Sequence, residues 1–378
     1  VNRDPGDEDG AHERLAEDEG DDRRHAGQRD EGDPDTVQRS EHAPRIRPVR
    51  WFRNLTAILV ALAAGCTAIP PPSGPQPETT VTAATDPTTS SSSTSTTAAP
   101  VTTTTLPGEP KALITPKGIP VAVRAVIENG YLVTSPCGVP TIVRDGEPVY
   151  GARVVLDPGH GGSRDVGAQG RNGLPEKQAN LRVALETAAR LEERGISVLL
   201  TRTGDYATTI PTRADLADHV GAEVLVSIHH NAPTPGPSTR PGTEIFYQSF
   251  SAESRRLGGV IYEHVVAALS RFTEVAWTAA PDAGVITVLN RNGRDTYGMI
   301  RRPRTPSVLV EMGYMSNPAE AELFATEEYV EVAATALADG IEAYLTTDAP
   351  GTGWYEPGRI FTAAPGLTTQ GCEEVPLE

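Results

Sequence analysis

Apolar and polar positions divide the chain into stretches of very different character. Residues 1–48 are charged and glycine-rich with almost no apolar periodicity, so they are expected to be disordered or a mis-annotated extension. A single apolar run follows within 49–66, VRWFRNLTAILVALAAGC. Residues 67–110 are dominated by Pro, Thr and Ser, as in TTSSSSTSTTAAPVTTTT, which predicts an extended linker with nothing to bury.

Ordered structure is expected from Lys111. VAVRAVI, YLVTS and TIVRD are short, β-branched and separated by Gly or Pro, which predicts a small β-unit over 111–151. From Ala152 strand patterns alternate with helical ones. The strands are RVVLD, ISVLLTR, EVLVSIHH, TEIFYQ and PSVLVEMGY, and helical spacing covers 176–194, 212–220, 252–271 and 327–346. This alternation predicts an α/β fold with a twisted, mostly parallel sheet flanked by helices. Residues 347–378 form a Gly- and Pro-rich C-terminal tail.

The apolar run reads as a signal peptide. Arg50 and Arg53 form a positive n-region, Leu55–Ala64 an apolar stretch, and Ala63, Ala64 and Gly65 a small-residue cleavage site. It is shorter than the roughly 20 residues a membrane-spanning helix needs. An export signal normally opens a chain, so translation is expected to begin near Val49. Cys66 stands where a lipobox cysteine would, although Ala63 occupies the position that such motifs give to Leu. The chain is therefore expected in the cell envelope, either membrane-anchored through a lipidated Cys66 or secreted.

Formal net charge is −17, which argues against a nucleic-acid partner, because phosphate binding needs a basic footprint. The three cysteines, Cys66, Cys137 and Cys372, are far apart with no C-x-x-C pair. Any metal must then be held by His and carboxylate. In an open α/β sheet, ligands bind beyond the carboxyl ends of the strands. His160 follows the first main strand in the turn PGHGG, and His229 and His230 end the strand EVLVSIHH. Strand alternation puts those two histidines on opposite faces, so only one reaches a given site; alternation alone does not say which. Glu311 lies inside VLVEMGY, an apolar setting in which a charge needs a partner. No phosphate loop, H-E-x-x-H or G-x-S-x-G is present. The residues alone thus point to a His/carboxylate metal site on an α/β sheet.

Four segments together resemble the zinc-dependent N-acetylmuramoyl-L-alanine amidases known as amidase family 3. They are VVLDPGHGG (154–162), NGLPEKQANL (172–181), LVSIHHNA (225–232) and VLVEMGYMSNPAEAELF (308–324), within a resemblance that covers roughly 152–346. The resemblance implies one Zn2+ held by His160, Glu176 and His229, with Glu311 as the catalytic glutamate, and puts His230 at a variable position. It implies hydrolysis of the amide between N-acetylmuramic acid and L-alanine in peptidoglycan. Two imidazoles and a carboxylate leave zinc an open position, where it polarises a carbonyl and acidifies water. Glu311 then serves as general base and acid. Asn180, one helical turn after Glu176, is placed to position that carboxylate. Asp157 is read either as a support for a ligand or as a structural part of the turn.

Competing readings are a zinc amidase or peptidase cutting another wall-peptide bond, and a non-catalytic peptidoglycan-binding lipoprotein on the same scaffold. Between Trp277 and Pro306 the chain is longer and richer in Arg and Gly than the family's usual segment. With Cys66 lipidated or removed, Cys137 and Cys372 are the remaining thiols of an exported chain and are expected to pair. A monomer is the default expectation.

Overall fold

In the computed structural model, residues 108–232, 242–277, 284–363 and 366–378 are described, all within one compact unit, Ile69–Glu378. The signal peptide, Cys66 and all but the end of the linker lie outside the described residues.

The first five strands form an antiparallel sheet: β1 (Ala112–Ile114), β2 (Pro120–Ile127), β3 (Gly130–Thr134), β4 (Pro140–Val143) and β5 (Glu147–Val149), in the order β4-β3-β2-β1-β5. One face carries Leu113, Val121, Val123, Val133 and Val143, which close over Tyr206 and over Leu377 from the chain's last residues. The small β-unit therefore shares its core with the tail, a pairing that a local hydrophobic pattern does not reveal.

The larger unit follows as β6 (Val154–Pro158), α1 (Glu176–Glu193), β7 (Val198–Leu200), α2 (Ile210–Val220), β8 (Val224–Asn231), β9 (Glu244–Tyr247), α3 (Ala252–Leu269), β10 (Gly284–Ile286), β11 (Val288–Leu289), α4 (Gly298–Arg301), β12 (Ser307–Tyr314), α5 (Pro318–Phe324), α6 (Glu327–Thr346) and β13 (Arg359–Ile360). Six strands make one sheet in the order β10-β9-β12-β8-β6-β7. β12, β8, β6 and β7 run parallel, whereas β9 is antiparallel to β12 and carries β10 with it. The α/β fold with a mostly parallel sheet is as expected, and the reversal at β9 makes the sheet mixed. Central strands β6 and β12 are buried along their whole length, the reason they read as near-continuous apolar runs.

Local chemistry sets the helix ends. Thr209, Ser251 and Thr326 each cap a helix by accepting a backbone N–H three residues on, and Gly221 ends α2 in the left-handed conformation. Helix α6 packs against both α1 and α3, with α1 against β6 and β8 and α3 against β9 and β12. Along β12, Val308 meets α3 at Gly258, while Leu309 clusters with Phe246, Ile286 and Ile300 of α4. By alternation Glu311 shares the face of Leu309, away from the α3 layer.

The tail crosses between units. β13 pairs in parallel with β11, and Cys372 forms a disulfide with Cys137, 235 residues earlier in the sequence. The expected pairing of these cysteines is thus present. It also corrects the expected membrane anchor: the described cysteines are spent on each other and offer no thiol to a lipid. No described helix is long and apolar enough to cross a membrane. Anchoring through a lipidated Cys66 is withdrawn.

Candidate metal centre

Three of the expected residues meet beyond the carboxyl ends of β6 and β8. His160, Glu176 and His229 each offer one donor atom, all within 4.8 Å of one another. His160 sits in the turn after β6 with φ +62°, a left-handed conformation that costs a residue with a side chain and that its surroundings must hold. Glu176 opens α1, and His229 projects from the end of β8. At Gly159 a Cβ would fall inside the His229 imidazole, and at Gly167, φ +70°, it would collide with Glu176 and His160. Those two glycines are what allow the three donors to converge.

Glu176 is the hub. Its Oε2 lies 3.2 Å from His160 Nε2 and accepts from the Ala168 N–H at 2.8 Å. Its Oε1 lies 3.0 Å from His229 Nδ1 and accepts from the His230 N–H and from Asn180 Nδ2 at 3.2 and 3.3 Å. Burial opposes charge on this carboxyl, but His160 and His229 outweigh it and hold Glu176 well below the usual carboxylate range. Burial likewise works against a charged His160, yet Glu176 and Asp165 carry its pKa up to about 10.

This donor set fits zinc. Two imidazoles and a carboxylate, with donor atoms within 4.8 Å of one another, match the donor set of catalytic zinc. Asp165 Oδ1 lies 2.5 Å from His160 Nδ1, the carboxylate–imidazole pairing that orients a metal-binding ring. Sequence reasoning missed Asp165, whose only signal was an acid five residues after His160.

Asp157 does not touch a ligand side chain. It is buried against Arg213 Nη1 at 2.9 Å and accepts from Thr201 and Ser227 at 2.5 and 2.6 Å. Burial works to raise its carboxyl, but Arg213 and the two hydroxyls leave it below its ordinary value. Arg213 also donates to the carbonyls of Pro158, His160 and Thr208, and Arg202 donates to those of Pro158, Gly159, Lys177 and Gly204. Burial and the neighbouring Arg213 lower Arg202 to about 10, so it stays charged near neutrality. The carbonyls of the turn that carries His160 are thereby held by two buried guanidinium groups.

The structure settles which histidine faces the site. His230 lies fully buried on the opposite strand face, its Nδ1 2.7 Å from Asn180 Oδ1 and its Nε2 2.7 Å from the Tyr329 hydroxyl. Asn180 uses its NH2 on Gly159 and Glu176, so its oxygen accepts, and His230 donates from Nδ1. Burial drives its pKa down to about 3, which keeps it neutral. Asn180 therefore positions Glu176 as expected and ties it to His230 as well.

Glu311 stands opposite His229 in the parallel β12–β8 register and opposite Glu244 in the antiparallel register with β9. It is 8 % exposed, and its Oε2 has no hydrogen-bond partner among the described residues. Burial, then Glu176 and Glu244, push its carboxyl well above the usual range. Glu244 is fully buried, and Arg359 of the tail and Asn231 reach it at 2.5 and 2.9 Å. His160, Glu176, His229 and Glu311 all line one cleft of about 1400 Å3, whose wall includes the tail residues Thr362, Ala363 and Gly366 to Thr369.

The family model for N-acetylmuramoyl-L-alanine amidase (Amidase_3) matches residues 154–343. The uncharacterized protein YqiI of Bacillus subtilis strain 168 is 35% identical over 215 residues, covering 56% of this chain and 92% of its own length. The N-acetylmuramoyl-L-alanine amidase AmiC of Neisseria meningitidis serogroup B is 32% identical over 222 residues, which are 51% of this chain and 53%, about half, of AmiC. A crystal structure of N-acetylmuramoyl-L-alanine amidase from Clostridium difficile 630 aligns at 28% identity and a TM-score of 0.45, over 52% of this chain and 98% of that one. The stretch from β6 into α6, which supplies every donor of the cluster as well as Glu311, is the stretch the family model covers, and the chain belongs to the N-acetylmuramoyl-L-alanine amidase family.

Proposed function

We propose that this chain hydrolyses the amide between N-acetylmuramic acid and L-alanine in peptidoglycan, with one zinc held by His160, Glu176 and His229. The observation that carries the reading is the three-donor cluster with an unpartnered buried carboxylate, Glu311, in register beside His229. When bound by these three residues, zinc would supply a Lewis acid that polarises the scissile carbonyl and acidifies water.

The remaining work falls to side chains of this chain. Asp165 fixes the His160 ring through Nδ1, leaving Nε2 directed at the cluster. Asn180 holds Glu176 in place from one helical turn away. Glu311 accepts the proton of the attacking water and returns it to the departing alanine nitrogen. An amide nitrogen leaves poorly without that proton. The Cys137–Cys372 disulfide supports an oxidising compartment outside the cytoplasm, where wall substrate is found.

The test uses the full chain loaded with zinc, beside Glu311→Gln. Wild type is expected to hold one zinc and release free peptides from purified muropeptides. Glu311→Gln keeps the zinc and loses at least ~100-fold in kcat, the scale of general acid–base catalysis. A wild type that holds no zinc, or a Glu311→Gln variant of undiminished kcat, overturns the assignment.

A further inference from the structure

The cleft wall carries charge that the metal cluster does not use. Five arginines line it: Arg171, Arg213, Arg294, Arg301 and Arg302. Two are committed to the protein itself. Arg213 holds Asp157 and the turn carbonyls, and Arg301 donates to the carbonyls of Asp295 and Thr296 at 2.7 and 2.9 Å. The other three are exposed, and among the described residues their guanidinium groups make no hydrogen bond, ion pair or ring contact.

That is unusual within this chain. Elsewhere guanidinium groups are paired even at the surface, as in Arg153 with Glu223, Arg194 with Asp339 and Glu342, and Arg164 with Glu373. Acids outnumber bases, 50 Asp and Glu to 33 Lys and Arg, so partners are plentiful. Apart from the three at the cleft, Arg291 is the one other described arginine whose guanidinium group makes no hydrogen bond, ion pair or ring contact among the described residues, and it lies in the same β11–α4 loop as Arg294. The carboxylates that line the cleft do not serve these arginines. Asp157 is bound by Arg213, Asp165 by His160, and Glu176 by both histidines, while Glu311 is buried. The tail's share of the wall, Thr362, Ala363 and Gly366 to Thr369, is uncharged.

We infer that Arg171, Arg294 and Arg302 form a carboxylate-binding rim that selects the peptide half of the substrate by its negative charge. The inference rests on the amidase reading, in which the leaving group is a peptide starting at L-alanine. Any such peptide carries at least a C-terminal carboxylate, and guanidinium forks bind carboxylates in bidentate geometry. The three groups come from separate places, the loop before α1, the β11–α4 loop and the end of α4, so the rim can engage a peptide along its length. Arg294 and Arg302 belong to the Arg-rich stretch between Trp277 and Pro306.

The test measures binding apart from turnover. A fluorescently labelled L-alanyl peptide with free carboxylates, and the same peptide with them amidated, are titrated by anisotropy into wild type and into Arg171→Gln/Arg294→Gln/Arg302→Gln. Exposed charge pairs are individually weak, so the free-carboxylate peptide is expected to bind wild type about ten-fold more tightly than the amidated one. In the triple variant that preference falls to about two-fold or less, and in wild type it shrinks as salt is raised. Arg291→Gln, which is exposed and does not line the cleft, keeps the wild-type preference. Equal binding of the two peptides by wild type, or a preference that survives in the triple variant, overturns the inference. Muropeptide hydrolysis is followed in parallel: its absence in zinc-loaded wild type counts against the amidase reading, while the binding comparison still decides the rim.

Discussion

Replacing Arg213 by Met isolates what holds the His160 turn. In the wild type, five-donor Arg213 satisfies Asp157 and three backbone carbonyls, with the pair only 3% and 1% exposed. Methionine fills similar space but leaves the Asp157 carboxylate buried with only the hydroxyls of Thr201 and Ser227. Breaking one side of such a pair costs about 3–5 kcal/mol, more than removing both partners. Arg213→Met is therefore expected to lose about 4 kcal/mol of unfolding free energy, read from urea midpoints at unchanged m-value. Adding Asp157→Leu removes the stranded charge. The double variant is expected to lie at least ~2 kcal/mol above the sum of the two single losses, although the freed carbonyls keep it below wild type. A single-variant loss under about 1 kcal/mol, or strict additivity, refutes the idea that this ion pair anchors the turn.

Three further outcomes follow from the geometry. Gly159→Ala puts a methyl group where the His229 ring lies, so zinc affinity should drop by at least ~10-fold by chelator competition while far-UV circular dichroism stays native; retained affinity refutes the steric account. Glu320 is fully buried, and burial, opposed by the Gly242 and Tyr314 N–H groups, raises its pKa from 4.5 to about 8. Its folded form binds a proton more tightly than the unfolded form, so stability falls by about 1.4 kcal/mol per unit as pH rises between those values. Glu320→Gln should match wild type near pH 5 and exceed it by several kcal/mol near pH 8.5, and parallel urea curves at the two pH values count against this. Cys372→Ser opens a closure across 235 residues, with an expected loss of roughly 2–5 kcal/mol, checked by denaturant titration without reductant; an unchanged midpoint removes the staple from the account of stability.

Much of the fold was legible because its central elements are periodic. The five main strands and four helices were readable from apolar spacing, and their ends agree with the structure to within a few residues. What escaped was short or non-local. β11 and β13 have two residues each and exist because they pair with one another, and α4 and α5 are too short for a helical period to register. Within the site, His160 and Glu311 announced themselves by context. His229 and His230 could not be separated from alternation alone, since the choice depends on which sheet face α1 and α6 cover. Glu244 carried the same signal as Glu311, an acid inside an apolar strand, but its counter-charge Arg359 lies 115 residues away in the tail. For Asp157 the sequence left two roles open, and the structure gives it the one in the turn's framework, whereas support of a ligand falls to Asp165, whose side chain the turn's reversal brings back onto His160.

The Cys137–Cys372 bond turns most of the folded chain into a covalent ring that contains His160, Glu176, His229 and Glu311. A single backbone cut inside that ring separates no fragment: the two pieces remain one molecule until a reductant acts. A chain nicked by a protease at an exposed loop can then keep the three donor residues and Glu311 on a connected framework. On a gel it runs as an intact chain under non-reducing conditions and as two bands once the bond is opened.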